Sequence, residues 1–593
     1  MKKLNFVRNF SIISHIDHGK STLADRLIEL CSNIKTKKIS KRLLDFMSLE
    51  REKGISIKAQ TVRLSYNKYF LNLIDTPGHI DFSYEVDRNI VACEGSLLII
   101  DSTQGIEAQT IENLNKAIKN NHNIIIILNK IDLFTSNIEK SIQQIKSLYP
   151  LNKNYVLIMS AKNGYGIDFL LKSIVKILPS PQYSLRKYLK AIIIDSWYNK
   201  YLGIIIIIRL FRGKVCKGIK IKILPNELKY RIDYIGIFNP KRINVKYLSI
   251  GEIGFLTGNI KETNNCKIGN VITNINSNIK KSKKIIKTSI SMVFCNIYPY
   301  DINEYSLLKS SLDKLKLSDS SFIYENIFIK NLGYGFKCGF LGILHLEIIK
   351  ERLKREYNIN IIITMPNVIY QVTTHCKKTF FIYSPLDMPK SNLISYIKEP
   401  WVIIIIIIPK IYLGKILNLC NKKRGIKKNL KYFNNKIILK YYMPLNEVIY
   451  KFYNEIKSSS QGYASYTWEF HSYKKSNLVK VDILINKNRI DLLSFIIQKK
   501  EAELKGREMC QYLKKIIPKH LFSIPIQALI GNRVIARETL KPLYKNVIGK
   551  CYGGDVSRKK KLLKKQRIGK KRLYKIGNIC IPKSLFISIL KIY

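Results

Sequence analysis

Residues 14–22 read SHIDHGKST and stand between an apolar run and a segment with helical periodicity. This spacing is close to the phosphate-binding pattern G-x-x-x-x-G-K-[ST], in which loop amides and a helix N-terminus surround phosphate groups. Gly19 would let the backbone approach the phosphates, Lys20 would reach the outer phosphates, and the Ser21 hydroxyl is placed for Mg²⁺. The first position is Ser14 rather than glycine, and a small residue still fits there. Taken alone, the segment could also be a chance Gly-Lys-Ser at the start of a helix.

A second motif, Asp75-Thr76-Pro77-Gly78-His79, follows another apolar run. A carboxylate at the end of a strand, here Asp75, can hold Mg²⁺ through water, and the amide of Gly78 can bind a terminal phosphate. The imidazole of His79 can orient an attacking water molecule. The alternative interpretation is a Pro-Gly turn beside a histidine of the core.

Two further motifs, Asn129-Lys130-Ile131-Asp132 and Ser160-Ala161-Lys162, close later apolar runs. The Asp132 carboxylate can accept hydrogen bonds from the ring N–H and the exocyclic amine of guanine, whereas adenine would leave that charge unpaired. A site built on such bonds can reject the wrong base by roughly 10⁴–10⁵-fold. Four motifs in this order are not explained by chance, and they predict that the ligand is GTP. The residues expected to bind it are Asp17, His18, Gly19, Lys20, Ser21, Thr22, Gly78, Asn129, Lys130, Ile131, Asp132, Ser160, Ala161 and Lys162.

The elements that must position these motifs follow from the hydrophobic pattern. Apolar runs at residues 9–14, 70–74, 96–100 and 124–128 are separated by helical segments. Strands alternating with helices predict a doubly wound, parallel α/β sheet with ligand loops at the carboxyl ends of its strands. After residue 181, apolar runs alternating with Gly-containing turns predict a β-barrel, and later segments mix strands with helices. The predicted multidomain order is a P-loop GTPase domain over residues 1–183, a β-barrel over 184–282, two α+β modules over 287–370 and 395–485, and a basic C-terminal domain over 486–593.

The formal net charge of +60 is the unusual feature of the composition. Such a cationic field attracts polyanions, so nucleic acid and an anionic membrane surface are the candidate partners. Residues 1–183 carry a net charge of +8, whereas the much shorter segment 541–593 carries +15. The basic side chains are therefore concentrated near the C-terminal end.

Cysteine usage and the lengths of the apolar runs indicate the cellular compartment of the protein. The eleven cysteines include no C-x-x-C pair, so neither a zinc ribbon nor a disulfide framework is indicated. The longest apolar runs, such as residues 401–409, are shorter than the ~18 residues that a membrane-spanning helix needs. Because the first motif begins within twenty residues of the first residue of the sequence, we expect no signal or transit peptide before it. These features predict a cytoplasmic protein with reduced thiols.

The order of the four motifs resembles that of translational GTPases, and DTPGH separates that class from signalling GTPases. Residues 50–60 (EREKGISIKAQ) are similar to the first switch segment of the class, while residues 333–356 and 461–470 are similar to later domains. Residues 549–572 (GKCYGGDVSRKKKLLKKQRIGKKR) are close to a sequence peculiar to LepA, also called elongation factor 4. The segment between Asp132 and Ser160 is too short to hold the insertion typical of elongation factor G. The chain therefore resembles the LepA family over essentially its whole length.

The resemblance implies a GTP phosphohydrolase that the ribosome stimulates and that uses Mg²⁺. It implies that Ser21 and Ser56 ligate the metal directly, that Asp75 holds it through water, and that His79 orients the attacking water. The family has threonine at the position of Ser56, so this chain keeps the hydroxyl and is expected to have a looser switch.

The resemblance also implies partners and a role. A monomer would bind ribosomal RNA and ribosome-bound tRNA, remodel the tRNA positions (back-translocation), and support accurate protein synthesis under stress. The alternative is a non-catalytic ribosome assembly or RNA-binding factor in which GTP serves only as an occupancy switch. A different translational GTPase, such as a tRNA carrier, is disfavoured by residues 549–572.

Residues 557–575 carry eleven Lys or Arg side chains among 19 residues. A turn at Gly553-Gly554-Asp555 and the apolar residues that interrupt the run predict an ordered element anchored to its domain. Basic side chains beside RNA gain affinity through counterion release, and the resemblance implies contact with ribosomal RNA and tRNA. A solvated charged face and a peripheral contact with the anionic cytoplasmic face of a membrane are the alternatives. The predicted RNA contacts are Arg558, Lys559, Lys560, Lys561, Lys564, Lys565, Arg567, Lys570, Lys571 and Arg572.

Overall fold

The structure is a computed structural model of the chain in which five consecutive modules each bury an apolar core. No helix among the described residues is both long and apolar enough to cross a membrane. The residues that the structure describes are 4–32, 47–148, 156–182, 188–258, 260, 266–275, 291–329, 333–364, 366–433, 436–449, 452–543, 546–549 and 555–576.

The first module is a six-stranded sheet with helices on both faces. Its elements are β1 (Val7–Ser14), α1 (Lys20–Ser32), α2 (Ser48–Lys53), β2 (Gln60–Tyr66), β3 (Tyr69–Asp75), α3 (Ser83–Val91), β4 (Gly95–Asp101), α4 (Ala108–Lys119), β5 (Asn123–Asn129), α5 (Ile138–Leu148), β6 (Val156–Ile158) and α6 (Ile167–Ile177). The strand order is β2-β3-β1-β4-β5-β6. Only β2 runs antiparallel to its neighbour within this sheet. The predicted doubly wound sheet is confirmed.

The central strands are buried on both faces, which explains their continuous apolar runs. In β1, Phe10 and Ile12 belong to one core cluster, while Ile13 belongs to the cluster on the opposite face. The register pairs Ile12 with Asp75 and Asp101 with Asn129. Because the paired strands are parallel, their carboxyl ends and the loops that carry the motifs lie at one edge of the sheet.

The second module is the predicted β-barrel. Its strands are β7 (Lys190–Asn199), β8 (Gly203–Arg212), β9 (Val215–Cys216), β10 (Lys220–Leu224), β11 (Leu228–Asn239), β12 (Lys241–Asn244), β13 (Tyr247–Leu248), β14 (Ile253–Gly258) and β15 (Val271–Asn274). The main sheet runs β10-β15-β7-β8-β14-β11-β12, and an additional pairing of β10 with β11 closes it. This closure pairs β10, which would otherwise lie at a free sheet edge.

The third and fourth modules each place helices on an antiparallel sheet. The third contains β16 (Val293–Pro299), α7 (Tyr305–Ser318), β17 (Ile323–Ile329), β18 (Gly333–Phe340), α8 (Ile343–Tyr357), β19 (Ile361–Ile363) and β20 (Asn367–Val368). The fourth contains β21 (Tyr370–Thr374), β22 (Thr379–Ile382), β23 (Ile394–Pro409), α9 (Leu413–Lys422), β24 (Ile426–Phe433), β25 (Lys436–Pro444), α10 (Leu445–Ile449), α11 (Phe452–Ser459) and β26 (Ser465–Ser476). Because β21 and β22 join the sheet of β23, this sheet includes residues that precede 395. The domain boundaries themselves stay a prediction.

The fifth module packs a helix on a small sheet and carries the basic segment. It contains β27 (Leu478–Ile485), β28 (Asn488–Arg489), β29 (Phe495–Gln498), α12 (Ala502–Ile516), β30 (Ile524–Ile530), β31 (Arg533–Leu540) and α13 (Val556–Ile576). Helix α12 packs on β30 and β31 through a shared core. The basic segment thus lies on a helix that follows this core in the chain.

The barrel, the third module and the fourth module all contact the first module. The barrel contributes Glu252, which pairs with Arg63 at 3.4 Å. The fourth module contributes the Ser465 hydroxyl, which accepts a hydrogen bond from the Ala108 N–H at 2.9 Å. Lys436 of the fourth module also donates to the carbonyl of Ile106 at 2.8 Å. These contacts hold the barrel and the fourth module against the sheet that carries the motifs.

Candidate nucleotide-binding site

A cavity of about 170 Å³ lies where the motif-bearing loops meet. Its walls come from three separate segments of the first module, together with Lys130. The lining residues are Ile16, Asp17, Gly19, Lys20, Ser21, Thr22, Gly54, Ile55, Ser56, Gly78, His79 and Lys130. The fold therefore brings together the predicted phosphate and catalytic residues and two of the three predicted metal ligands, although 62 positions separate Asp17 from His79 in the sequence.

The loop before α1 requires the glycine at its end. Gly19 has a φ of +93°, a backbone conformation that residues other than glycine rarely adopt. A Cβ at this position would also overlap the Asn129 side chain. Ser14, the departure from the phosphate-binding pattern, is buried, and its hydroxyl donates to the carbonyl of His15 at 2.7 Å. A serine is therefore accommodated at the start of the loop.

Lys20 is buried at the floor of the cavity, with only 7% of its surface exposed. Burial lowers the pKa of Lys20 to about 8, although Asp75 and Asp17 act in the opposite direction. A Cβ on Gly78 would overlap the Nζ of Lys20, so the DTPGH backbone passes directly beside the ammonium group. An anionic phosphate here would favour the charged lysine and restore its full positive charge.

The three predicted metal ligands have only oxygen donors, and two of them, Ser21 and Ser56, line the cavity. The hydroxyls of Ser21 and Ser56 lie 3.3 Å apart, close enough for both to contact one small cation. Asp75 is buried at the end of β3, and the next residue, Thr76, donates to the Ile12 carbonyl at 2.6 Å. Hydroxyl and carboxylate oxygens suit Mg²⁺, which prefers hard ligands. The donor set therefore fits a magnesium site.

The loop that carries Ser56 is held by a residue that sequence reasoning missed. The carboxylate of Glu50 is buried and accepts hydrogen bonds from the N–H groups of Ile57 at 3.0 Å, Lys58 at 3.2 Å and Met47 at 3.1 Å. A buried carboxylate with several backbone donors fixes a loop strongly. Its only sequence signal was a glutamate within a charged stretch, which is equally typical of a solvated surface.

His79 lines the cavity with a ring whose hydrogen bonding favours one tautomer. Its Nδ1 lies 3.1 Å from the Asp81 N–H, which donates to it. Burial lowers the pKa of His79; Asp81 opposes this effect, and His15 adds to it. The neutral ring therefore carries its proton on Nε2, assigned from this hydrogen bond. An Nε2–H group can orient a water molecule by donating to its oxygen.

His79 also contacts a module that its motif does not predict. The centre of the Tyr453 ring, in α11 of the fourth module, lies 6.3 Å from the centre of the His79 ring. The Phe82 ring, from the same segment as His79, lies at the same distance. Tyr453 has no motif of its own in the sequence. Contact with the fourth module therefore reaches the predicted catalytic side chain.

The residues predicted to read the base connect two loops. Asn129 donates through Nδ2 to the His18 carbonyl at 2.9 Å and accepts from the Ala161 N–H at 2.9 Å. The Ser160 hydroxyl donates to Oδ1 of Asp132 at 2.7 Å. Asn129 therefore ties the phosphate loop to the SAK loop, and Ser160 fixes the orientation of the Asp132 carboxylate.

Three other predicted base-site residues flank this arrangement. Lys130 pairs with Asp101 at 2.8 Å, and Ile131 lies half-buried beside it. The carbonyl of Lys162 accepts a hydrogen bond from Arg26 of α1 at 2.8 Å. The SAK loop is thus fixed against the first helix as well.

The structure does not place every predicted side chain at the cavity. The His18 ring is fully buried, with Nδ1 accepting from the Asp101 N–H at 3.3 Å, and burial lowers its pKa to about 4. It therefore contributes its backbone carbonyl to Asn129 rather than its ring to the cavity. The neighbouring His15 pairs with Glu107 at 2.5 Å, a contact that the sequence did not reveal.

The predicted RNA contacts all lie on α13. The Asp555 side chain accepts from the Arg558 N–H at 2.9 Å and caps the helix, while Gly553 and Gly554 lie outside the described residues. The apolar residues of the helix were expected to anchor it. Leu562 is half-buried, whereas Leu563 is 41% exposed and Ile568 and Leu573 are each 44% exposed.

Comparisons with known protein families match three parts of the chain. The elongation factor Tu GTP binding domain matches residues 5–180, the elongation factor G C-terminus matches residues 396–484, and the C-terminus of GTP-binding protein LepA matches residues 485–591. A crystal structure of a protein from Thermus thermophilus is similar with a TM-score of 0.61 and 14% identity, covering 79% of this chain and 97% of that chain. At this identity, the structural likeness concerns the fold.

Proposed function

Because the chain belongs to the LepA-type translational GTPases, we propose that it hydrolyses GTP while bound to the ribosome. Its action there would remodel tRNA positions by back-translocation and support accurate synthesis under stress. The observation that carries the proposal is the single cavity in which Lys20, Ser21, Ser56 and His79 meet. The match of residues 485–591 to the C-terminus of LepA supports a role at the ribosome.

Positioning and electrostatics supply the chemistry of phosphoryl transfer. Lys20 neutralises charge on the outer phosphates, and the Gly78 amide contacts the terminal phosphate. Ser21 and Ser56 would hold Mg²⁺ directly, and Asp75 would hold it through water. The metal, when bound, supplies further positive charge to the phosphate oxygens.

His79 orients the attacking water rather than removing its proton. Its Nδ1 is occupied by the Asp81 N–H, so the Nε2–H group is the donor that faces other partners. No arginine lines the cavity in the described part of the chain, so an arginine finger does not assist from these walls. We therefore expect slow hydrolysis off the ribosome and faster hydrolysis when the ribosome fixes His79.

Single-turnover GTP hydrolysis with and without ribosomes tests this proposal. An enzyme of this type should show a clear acceleration on adding ribosomes at saturating protein. A factor that uses GTP only as an occupancy switch would bind ribosomes in the GTP state without accelerated hydrolysis, and that outcome would reject the proposal. Movement of fluorescent tRNA on the ribosome reports back-translocation separately.

Helix α13 is the part of the chain proposed to contact ribosomal RNA and ribosome-bound tRNA. Eight of its ten candidate side chains are exposed, and Lys559 and Lys570 are half-buried. Exposed basic side chains on one ordered helix can neutralise several phosphates at once. A peripheral contact of the same helix with an anionic membrane is the competing use of this charge.

Replacing Lys559, Lys560, Lys561, Lys564 and Lys565 together by alanine should weaken ribosome binding and flatten its salt dependence. If about three to five of these lysines meet phosphates, the log–log slope should shrink by roughly 2–4 units. GTP affinity off the ribosome should not change, because the nucleotide cavity belongs to the first module. The measurement is a salt titration of ribosome binding run beside sedimentation with anionic vesicles. An unchanged ribosomal slope would reject the RNA contact, and loss of vesicle binding alone would support the membrane role.

A further inference from the structure

The sheet of the fourth module has one face that its helices do not cover. In β23, Val402, Ile404 and Ile406 belong to the core cluster that includes residues of α9, α10 and α11. Alternate residues of a strand point to opposite faces, so Trp401 and Ile403 lie on the other face. We call this second face the open face.

Aromatic rings and lysine side chains meet at the end of the open face that includes Trp401. The Nζ of Lys474 lies 4.3 Å from the centre of the Trp401 ring and 4.9 Å from that of Tyr442. The Nζ of Lys428 lies 5.0 Å from the centre of the Tyr442 ring, and the His471 ring lies 4.8 Å from the same ring. These residues come from all four strands β23–β26, so tertiary pairing alone assembles the group.

Strand register places Tyr442 and Lys440 on the open face, and their contacts with the Tyr442 ring place His471 and Lys428 beside it. Tyr442 pairs with Ile403, and Lys440 pairs with Ile405, both on the open face. We define the aromatic platform as Trp401, Lys428, Lys440, Tyr442, His471 and Lys474. His471 is exposed and Tyr442 is half-buried, so a ligand can reach both rings.

The charge of the platform is positive. Lys428, Lys440 and Lys474 contribute three ammonium groups, and the strands β23–β26 contain only two carboxylates. One of these, Glu399, pairs with Arg424 at 2.8 Å. The other, Glu469, lies opposite Ile403 on the open face. An anionic ligand is therefore favoured at the platform.

Trp401 is only 8% exposed, and among the described residues its indole Nε1 has no hydrogen-bond partner. Because this N–H is itself buried, it does not face the surface, and the accessible rings of the platform are those of Tyr442 and His471.

We propose that the aromatic platform binds unpaired bases of single-stranded RNA. Flat rings stack on bases of any sequence, and lysines beside them contact the phosphates. An acidic protein would match the charge but would leave the rings without stacking partners, so RNA is the better match. The proposal extends the proposed function at the ribosome. It rests on that function in one respect, namely that the ribosome is the source of the RNA.

The test measures binding of a fluorescein-labelled 12-residue oligouridylate to the full chain by anisotropy. The background variant has the five α13 lysines replaced by alanine, so that α13 does not mask the platform. In this background Tyr442→Ala should weaken binding by about 5- to 150-fold, the range expected for loss of one stacked base. Tyr442→Phe keeps the ring and should retain binding. Lys474→Ala should reduce the log–log salt slope by roughly 0.7.

Matched controls lie on the other face of the same sheet. Tyr432 and Lys427 of β24 pair with Ile437 and Tyr441, whose side chains belong to the helix-side core. Tyr432→Ala and Lys427→Ala should leave oligouridylate binding unchanged.

Several results would overturn the proposal. One is that Tyr442→Ala and Tyr432→Ala weaken oligouridylate binding equally. Another is that neither Tyr442→Ala nor Lys474→Ala changes oligouridylate binding. A third is that a 12-residue oligoglutamate binds as tightly as the oligouridylate. Ribosome-stimulated hydrolysis is measured separately on the same variants. If the platform variants lose RNA binding but keep ribosome-stimulated hydrolysis, the platform proposal is supported. If the parental chain shows no ribosome-stimulated hydrolysis, only the proposed enzyme function is rejected.

Discussion

Replacing His79 by alanine is expected to remove most ribosome-stimulated GTP hydrolysis, by about 10²-fold or more, while GTP affinity stays nearly unchanged. The ring lines the cavity, and its Nδ1 is held by the Asp81 N–H. Alanine removes the Nε2–H donor that would orient water. It leaves Lys20 and Ser21, which would hold the phosphates and the metal. Single-turnover hydrolysis on ribosomes, run beside nucleotide titrations, separates the two effects.

The pH profile of the parental chain provides a second readout for His79. Burial lowers its pKa, so the neutral ring should persist below the ordinary histidine range of about 6.5. Ribosome-stimulated hydrolysis should therefore be flat from pH 8 to about 6.5 and fall only at lower pH. His79→Gln, which keeps an N–H donor, should lose less activity than His79→Ala. Parental rates in the alanine variant would show that His79 does not orient the water.

Asp132→Asn should shift base preference from GTP toward XTP. The Ser160 hydroxyl donates to Oδ1 of Asp132, and the asparagine carbonyl can accept the same hydrogen bond. Its amide nitrogen would then take the place of the second carboxylate oxygen and donate to the 2-carbonyl of xanthine. Since unpaired polar groups at such a site cost up to roughly 10⁴–10⁵-fold in discrimination, the change in relative affinity should span several orders of magnitude.

Competition between GTP and XTP for a fluorescent nucleotide measures this change. Asp168→Asn provides a matched control, because Asp168 is an exposed carboxylate in the first turn of α6. It should leave the preference for GTP intact. If Asp132→Asn retains the GTP selectivity of the parental chain, Asp132 does not read the base.

Much of the first module could be predicted because its signals are local. The runs at residues 9–14, 70–74, 96–100 and 124–128 became β1, β3, β4 and β5, each extended by one or two residues. Parallel strands end at a common edge, so motifs that follow such runs must meet there. The family resemblance was confirmed by matches to the GTP-binding domain and to the LepA C-terminus.

Side-chain orientation was less predictable, because burial depends on residues distant in the chain. His18 was predicted to bind the nucleotide, yet its ring is buried against Ile99 and Asp101. The apolar residues of α13 suggested anchoring, but helical periodicity does not show whether a neighbouring surface exists to cover them. Tyr453 approaches His79 only because the fourth module packs on the first.

By itself, the sequence predicted the chemistry of a nucleotide site and determined the elements that carry it. Glycines in special conformations, motif spacing and apolar runs act over a few residues, so a contiguous segment contains the whole signal. Tertiary structure alone decided that Glu50 holds the Ser56 loop, that Asn129 ties two loops together, and that Trp401, Tyr442 and His471 form one surface. Their environment, and hence their hydrogen bonding and accessibility, is set by packing between distant segments, which no local pattern encodes.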